Sequence, residues 1–141
     1  MSGTLPHLLF VCVENSCRSQ MAEGFARALG AGTVAAFSAG SRPAERVHPL
    51  ALRLMRERGI DLAGRVPKGL AELPAGVEWD TIVSMGCGDA CPSLPARQRV
   101  DWQVPDPQPM SEEAFRQVRD RIESLVRALL EETAGRLRPD R

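Results

Sequence analysis

Length and composition place this chain among ordinary globular proteins with one domain. Its 141 residues are 43% hydrophobic and 26% charged, and no apolar run approaches the ~20 residues that a membrane-spanning helix needs. The 18 basic residues balance the 18 acidic residues, so no overall positive field would attract nucleic acid or an anionic membrane. We therefore expect a single domain over residues 1–141 that binds neither nucleic acid nor a membrane. Any bound anion would be held by a local site.

The N-terminal segment MSGTLPHLLFVCV has no basic region and no small-residue cleavage site, so it does not have the pattern of a signal peptide. We expect a cytoplasmic protein, with a monomer as the default assembly state. In a reducing cytoplasm, four cysteines do not usually form a permanent disulfide framework. The thiols are then catalytic, redox-active, metal-binding or simply buried.

Strand and helix patterns alternate along the first half of the chain. HLLFVCV is a nearly continuous apolar run, which is typical of a central parallel strand. From Arg18 the apolar residues take helical spacing, and Gly30 marks the end of this first helix. TVAAFSAG (33–40) predicts a second strand, and a second helix begins at Pro49 and ends at Gly59.

The second half continues the alternation with two strands and a long helix. WDTIVSMG (79–86) predicts the third strand and RVDWQV (99–104) a short fourth strand. One apolar stripe with an acidic first turn predicts a final helix at about 111–132. We expect residues 134–141 to form a flexible tail.

This order of elements predicts an α/β fold with an open four-stranded parallel sheet flanked by helices. Functional sites in such sheets lie at the carboxyl ends of the strands. Cys12, Ser38, Cys87 and the VPDP stretch all fall at that edge in the predicted order.

The segment CVENSCR lies where the first strand gives way to the first helix. A turn of this kind points successive backbone N–H groups into one concavity, where the helix dipole also favours an anion. The Arg18 guanidinium would add a planar fork of donors, and the same groups would favour the thiolate form of Cys12. Considered separately, Cys12 would be a buried strand cysteine and Arg18 a surface residue of the helix. Their spacing and their place between a strand and a helix favour a functional site. The predicted oxyanion-binding loop consists of Val13, Glu14, Asn15, Ser16, Cys17 and Arg18.

The C-x5-R-S pattern of CVENSCRS resembles the low-molecular-weight protein tyrosine phosphatase superfamily. CRSQMAEGFA, FSAG, GID at 59–61 and DP at 106–107 strengthen the resemblance, which covers essentially the whole chain. Within the superfamily, the sequence is most similar to the arsenate reductases coupled to thioredoxin. The resemblance implies the flavodoxin-like fold of this superfamily.

The resemblance also implies a role for each matching residue. Cys12 would be the nucleophile, Arg18 the oxyanion ligand and Ser19 a hydroxyl that holds the thiolate. Asn15 would fix the backbone of the loop, and Asp106 would be the general acid. From the sequence alone, Asp106 between two prolines could equally be a turn residue.

Cys87 and Cys91 provide the thiols that a reductase needs and a phosphatase does not. In the family mechanism, Cys87 attacks the Cys12 adduct, arsenite leaves, and a Cys12–Cys87 disulfide forms. Cys91 then converts it into a Cys87–Cys91 disulfide that thioredoxin, or another thiol reductant, reduces. No bound cofactor is implied, and phosphate or sulfate would compete with arsenate. Alternatively, Cys87 and Cys91 are incidental thiols.

Two features favour a reductase over a phosphatase. The chain has no tyrosine, and PDPQPM has no aromatic residue after its acid, whereas aromatic residues commonly flank a phosphotyrosine pocket. A low-molecular-weight phosphatase with redox-regulated thiols remains an alternative, as does a non-catalytic thiol or arsenite sensor. We predict no metal site, because C-x3-C is not the usual C-x2-C spacing and His7 and His48 have no paired spacing.

The sequence departs from the family pattern around the loop. Glu14 replaces a common glycine, and its carboxylate would repel an anion unless it points away. Some members bind potassium beside the loop. Here Asn15, Glu23 and Ser38 match three of the ligands, but Val66 and Lys68 replace a threonine and an aspartate. We therefore hypothesise that the Lys68 ammonium replaces potassium as the partner of Glu23.

Overall fold

Four parallel strands form one sheet in the computed structural model, which describes residues 5–86 and 94–137. The strand order is β2-β1-β3-β4, so the first strand is central and pairs with two neighbours. The predicted fold class is confirmed. The strands are β1 (His7–Cys12), β2 (Ala35–Gly40), β3 (Trp79–Ser84) and β4 (Ala96–Asp101).

Three α-helices and a short 3-10 turn connect and cover these strands. Helix α1 packs on β1, β2 and α3, and α2 packs on α3. The main core lies between the sheet and these helices, and its largest fully buried side chains include Phe10, Phe25 and Phe115. In the described part of the chain, no helix is both long and apolar enough to cross a bilayer. The elements are α1 (Arg18–Leu29), α2 (Pro49–Arg56), the 3-10 turn (Leu70–Glu72) and α3 (Glu112–Leu137).

Strand β1 is buried from Leu8 to Cys12, which explains its apolar sequence. The register pairs Cys12 with Gly40 of β2, and Val11 with Ser84 of β3. Because these strands are parallel, their carboxyl ends lie at one edge of the sheet. The fold therefore brings the loop after Cys12 beside the chain that leaves β2 and β3.

The fourth strand begins and ends earlier than the sequence pattern predicted. It spans Ala96–Asp101, not 99–104, and its side chains alternate between half-buried and exposed. Trp102 and Val104 lie beyond the strand, and both are buried in the main core. Their apolar character therefore reflects tertiary packing after the strand and not strand pairing.

Helix α3 continues five residues further than predicted and ends at Leu137. Thr133 is buried and donates its hydroxyl hydrogen to the Leu129 carbonyl at 2.8 Å. Arg136 pairs with Asp80 in β3, at 2.6 Å between Nη2 and Oδ2. The prediction of a flexible tail was wrong for residues 134–137, because these tertiary contacts extend the helix.

Charged side chains join the end of α2 to α3. Glu57 accepts hydrogen bonds from Arg116 at 2.8 and 3.0 Å and from Arg119 at 2.7 Å. These bonds, chiefly those from Arg116, lower the pKa of Glu57 from 4.5 to about 2. Arg119 also donates to the Leu54 carbonyl at 2.9 Å. Arg119 and Glu57 therefore join the end of α2 directly to α3.

Candidate active site

The predicted oxyanion-binding loop lies between the end of β1 and the start of α1. Cys12 ends the strand and Arg18 begins the helix, and both residues are buried. The Cys12 Sγ atom lies 2.9 Å from the Ser19 hydroxyl oxygen. A hydroxyl at this distance can donate a hydrogen bond to a thiolate, which is the role that the family resemblance implies for Ser19.

Asn15 has a left-handed backbone conformation, with φ of 53°. Its side-chain amide donates to Ser19 Oγ at 2.7 Å and to Ser38 Oγ at 2.9 Å. Its Oδ1 atom accepts from Gln20 Nε2 at 3.0 Å and from the Lys68 backbone N–H at 2.9 Å. Asparagine tolerates this conformation better than most residues, and here four bonds hold it in place. Sequence reasoning predicted the role of Asn15 but missed Gln20.

Arg18 is held beside the cavity by the segment that follows β4. Its Nη1 atom donates to the Val104 carbonyl at 3.1 Å, and the residue is 7% exposed. Gly86, with φ of 80°, lies so close that a Cβ atom there would be 2.6 Å from Arg18 Nη1. Glycine at position 86 therefore leaves the space that the guanidinium occupies.

A small cavity of about 140 Å³ opens above the loop. Asp106 lines it together with Cys12 and Arg18, so the proposed acid, nucleophile and oxyanion ligand share one cavity. The Asp106 carboxylate accepts from the Gln108 backbone N–H at 3.1 Å. Sequence reasoning missed Gln108. The lining residues are Cys12, Val13, Glu14, Ser16, Cys17, Arg18, Asp106 and Gln108.

Cys17 also lines this cavity. Burial raises the pKa of the Cys17 thiol to about 12, against a hydrogen bond with Ser16 that partly offsets it. Cys17 is therefore a thiol at neutral pH, and it is a poor nucleophile. We interpret Cys17 as a structural residue of the loop.

Comparison with known proteins places this site in a family. Residues 7–138 match the family described as low molecular weight phosphotyrosine protein phosphatase. The chain belongs to this family. The matched residues include every strand and helix described above.

Near-full-length relatives of this chain include arsenate reductases. A glutaredoxin arsenate reductase from Synechocystis sp. is 44% identical over 126 residues, which cover 84% of this chain and 95% of the relative. A solved arsenate reductase in the phosphate binding state has a TM-score of 0.81 and 38% identity, over 92% of this chain and 99% of that chain. The thioredoxin-dependent arsenate reductase of Corynebacterium glutamicum has a TM-score of 0.77 and 30% identity, over 95% of this chain and 64% of that chain. The resemblance inferred from the loop motifs is confirmed.

Glu23 lies beneath the family's loop as a buried carboxylate with several partners. Its Oε1 atom accepts from the Ser38 hydroxyl at 2.5 Å, and its Oε2 atom accepts from Arg27 Nε at 2.7 Å. The Arg65 guanidinium also pairs with Oε2. Ser38 in turn receives the hydrogen bond from Asn15, so Glu23 connects to the loop through one hydroxyl.

The direct partners of Glu23 differ from the hypothesis made from the sequence. Arg27 and Arg65 form its ion pairs, whereas Lys68 contributes its backbone N–H to Asn15. Burial lowers the pKa of Lys68, and the charge of Glu23 opposes this effect, so the ammonium acts on Glu23 only at longer range. Arg65 and Arg27 are the observed ion-pair partners of Glu23, and the hypothesis that the Lys68 ammonium replaces potassium stays a prediction. No local pattern marks Arg65 in the sequence, because the contact depends on how the loop before Lys68 folds back.

The donor set does not fit the potassium ion that some family members bind. Asn15 Oδ1 already accepts two N–H groups, and the Ser38 hydroxyl donates to Glu23. Two guanidinium groups compensate the Glu23 charge, and Val66 offers only an exposed hydrocarbon side chain. Within residues 5–86 and 94–137, no group of three or more His, Cys, Asp or Glu side chains could hold a metal ion.

Cys87 and Cys91 lie outside the described residues. The chain reaches them from β3 through Met85, which is buried, and Gly86, which contacts the Arg18 side chain. The predicted redox roles of the two cysteines therefore stay predictions.

Proposed function

We propose that this protein is an arsenate reductase. The observation that carries the proposal is the single cavity that joins Cys12, Arg18 and Asp106, in a chain whose near-full-length relatives are arsenate reductases. The cavity of about 140 Å³ is large enough to admit a tetrahedral anion of four oxygens. Phosphate and sulfate, which have the same shape and charge, would compete for it.

The first step forms a bond between Cys12 sulfur and arsenic. The thiolate attacks, one As–O bond breaks, and Asp106 donates a proton so that the oxygen leaves as water. Arg18 and the backbone N–H groups of the loop hold the remaining oxygens, where they stabilise the charge of the transition state. The Ser19 hydroxyl oxygen lies 2.9 Å from the Cys12 sulfur, where it can donate a hydrogen bond to the attacking thiolate.

The second stage uses Cys87 and Cys91 to supply two electrons. The Cys87 thiolate attacks the Cys12 sulfur, a disulfide forms, and arsenic leaves as arsenite with the electron pair of the S–As bond. Cys91 then attacks Cys87, which releases Cys12 as a thiol and leaves a Cys87–Cys91 disulfide. Arsenic is reduced from the +5 to the +3 state while two thiols are oxidised to one disulfide.

A dithiol protein such as thioredoxin completes the cycle by reducing the Cys87–Cys91 disulfide. Relatives support two possible donors, since the Synechocystis protein is a glutaredoxin arsenate reductase and the Corynebacterium protein is thioredoxin-dependent. We expect thioredoxin to be the donor, in the cytoplasm, with the reductase acting as a monomer and without a bound cofactor.

Arsenate-dependent NADPH oxidation tests this function. The protein is assayed with thioredoxin and thioredoxin reductase, and in parallel with glutaredoxin, glutathione and glutathione reductase. We expect sustained oxidation that is lost in Cys12→Ser, Cys87→Ser and Cys91→Ser variants, and lowered by at least about a hundredfold in Asp106→Asn. Faster turnover with the glutaredoxin system would replace thioredoxin as the donor but leave the reductase intact.

Hydrolysis of phosphate esters is the second candidate function, because Cys12, Arg18 and Asp106 form a complete site without Cys87 and Cys91. Turnover of p-nitrophenyl phosphate that survives loss of both cysteines, with no arsenate-dependent oxidation, would establish a phosphatase. Absence of both activities, with arsenite binding retained, would indicate a sensor.

A further inference from the structure

Glu14 and Gln108 both line the active-site cavity and are joined by a hydrogen bond. The Gln108 side-chain amide donates from Nε2 to Glu14 Oε1 at 3.1 Å. The backbone N–H of Gln108 donates to the Asp106 carboxylate, also at 3.1 Å. Gln108 therefore ties the segment that carries the acid to the loop that carries the nucleophile.

The exposure of this pair distinguishes it from the buried floor of the cavity. Cys12, Ser16, Cys17 and Arg18 are all buried and form the floor. Glu14 and Gln108 are half-buried, so they form part of the rim that separates the cavity from solvent. We refer to the hydrogen bond between Glu14 and Gln108 as the clasp.

The clasp accounts for a carboxylate beside an anion site. The Gln108 amide engages one oxygen of Glu14 and holds it across the rim instead of leaving it free to turn inward. An organic substituent on the bound anion would have to extend past the rim. It would break the clasp and place a less polar group over the Glu14 carboxylate. Both effects disfavour the substituted anion, because a hydrogen bond to a charged group is lost and a carboxylate is desolvated.

We propose that the Glu14–Gln108 clasp is a specificity device that closes the cavity around an unsubstituted oxyanion and excludes phosphate monoesters and phosphonates. The proposal rests on the proposed arsenate reductase function, whose substrate has no organic substituent. Gln108 is in this view a positioning residue, since it acts through the rim and through Asp106.

Exchange of the donor and the acceptor tests the clasp. Gln108→Glu places two carboxylates against each other and should open it. Glu14→Gln keeps an acceptor oxygen for Gln108 and serves as the matched control. The double variant Glu14→Gln/Gln108→Glu restores a donor and an acceptor in reversed order, with the original net charge.

The readout is protection of Cys12 from iodoacetamide by inorganic phosphate or by benzylphosphonate, at a pH where both are dianions. Alkylation is located by mass spectrometry, since Cys17 lies in the same tryptic peptide. We expect wild type and the double variant to prefer phosphate by about tenfold or more, Glu14→Gln to keep a smaller preference because its clasp is uncharged, and Gln108→Glu to lose most of it. The ratio cancels the general repulsion that an added charge exerts on both anions.

Binding preference and arsenate reduction fail independently in this design. The coupled NADPH assay on wild type tests the proposed function, whereas the ratio of the two protecting concentrations tests the clasp without any turnover. A wild-type protein with no preference, a Gln108→Glu variant that keeps it, or a double variant that behaves as Gln108→Glu would each overturn the clasp.

Discussion

At the scale of single residues, Asn15 joins the loop to β2, α1 and the chain at position 68 through the two polar atoms of one side chain. Asn15→Ala would leave the buried Gln20 amide without this acceptor, at a cost of about 1–3 kcal/mol, and would also remove the acceptor of the half-buried Lys68 N–H. It would also place a less suitable residue at a φ of 53°. We expect a fall in melting temperature and a larger fall in kcat, measured by calorimetry and the coupled assay.

Asn15→Gly separates the two contributions, because glycine adopts the left-handed conformation freely but forms no side-chain bonds. Recovery of stability and activity in Asn15→Gly would show that backbone conformation matters more than the bonds. An equal loss in both variants would identify the bonds as the cause.

Gly86 offers a second residue-scale prediction. Gly86→Ala should displace the Arg18 guanidinium, because the new Cβ would lie 2.6 Å from Nη1. Gly76→Ala is a matched control, since Gly76 also has a positive φ of 74° but no atom within 4 Å of the added Cβ. Both changes should cost about 1–2 kcal/mol of stability. Only Gly86→Ala should lower kcat/KM for arsenate by tenfold or more beyond its control, and equal kinetics would refute the steric argument.

At the scale of elements, the contact of α2 with α3 depends on Glu57 and its two arginines. Since the pKa of Glu57 is lowered from 4.5 to about 2, its ion pairs stabilise the folded state fully above pH 4.5. This contribution should disappear as the pH falls from 4.5 towards 2, where the folded-state carboxylate becomes protonated. Glu57→Gln should therefore lower the melting temperature at pH 7 and have no effect near pH 2.

Glu113→Gln is the control for this prediction, because Glu113 is 72% exposed and its oxygen is 3.6 Å from Arg116. Its melting temperature should stay close to that of wild type. Because Glu57 is itself partly exposed, added salt should reduce the difference between Glu57→Gln and wild type. A difference that is independent of pH would point to packing and not to charge.

The comparison of sequence with structure also follows from the elements. The sequence predicted β1, the loop and α1 well, because a buried strand, a Cys-x5-Arg spacing and a helical stripe are all local patterns. It misplaced β4 because Trp102 and Val104 are apolar for a tertiary reason. It missed Arg65 and Gln108 for the same kind of reason, since their partners Glu23 and Glu14 are distant in the chain.

At the scale of the whole molecule, the end of α3 supports the opposite edge of the sheet from the candidate site. Deletion of the chain after Glu132 would remove Thr133 and the Arg136 guanidinium that pairs with the buried Asp80 carboxylate. Loss of this partner should cost about 1–3 kcal/mol, which corresponds to a drop of roughly 4–10 °C in melting temperature.

Arg136→Ala should reproduce most of this loss, whereas Arg127→Ala should not. Arg127 also forms an ion pair on α3, with Glu123, but its side chain is 58% exposed. Thermal melts of the deletion, Arg136→Ala and Arg127→Ala variants test this prediction. An unchanged melting temperature after deletion would mean that the last turns of α3 contribute nothing to the stability of the fold.

The core position of the two loop cysteines has a consequence for biosynthesis. Cys12 and Cys17 are synthesised early, yet they share a hydrophobic core with Phe115 and Ile122 of α3, which is synthesised after all the other elements described above. Until that helix arrives, the nascent chain leaves both thiols open to solvent and to any oxidant in the cell. Refolding of the purified protein should therefore need a reductant from the first moment to keep Cys12 and Cys17 reduced.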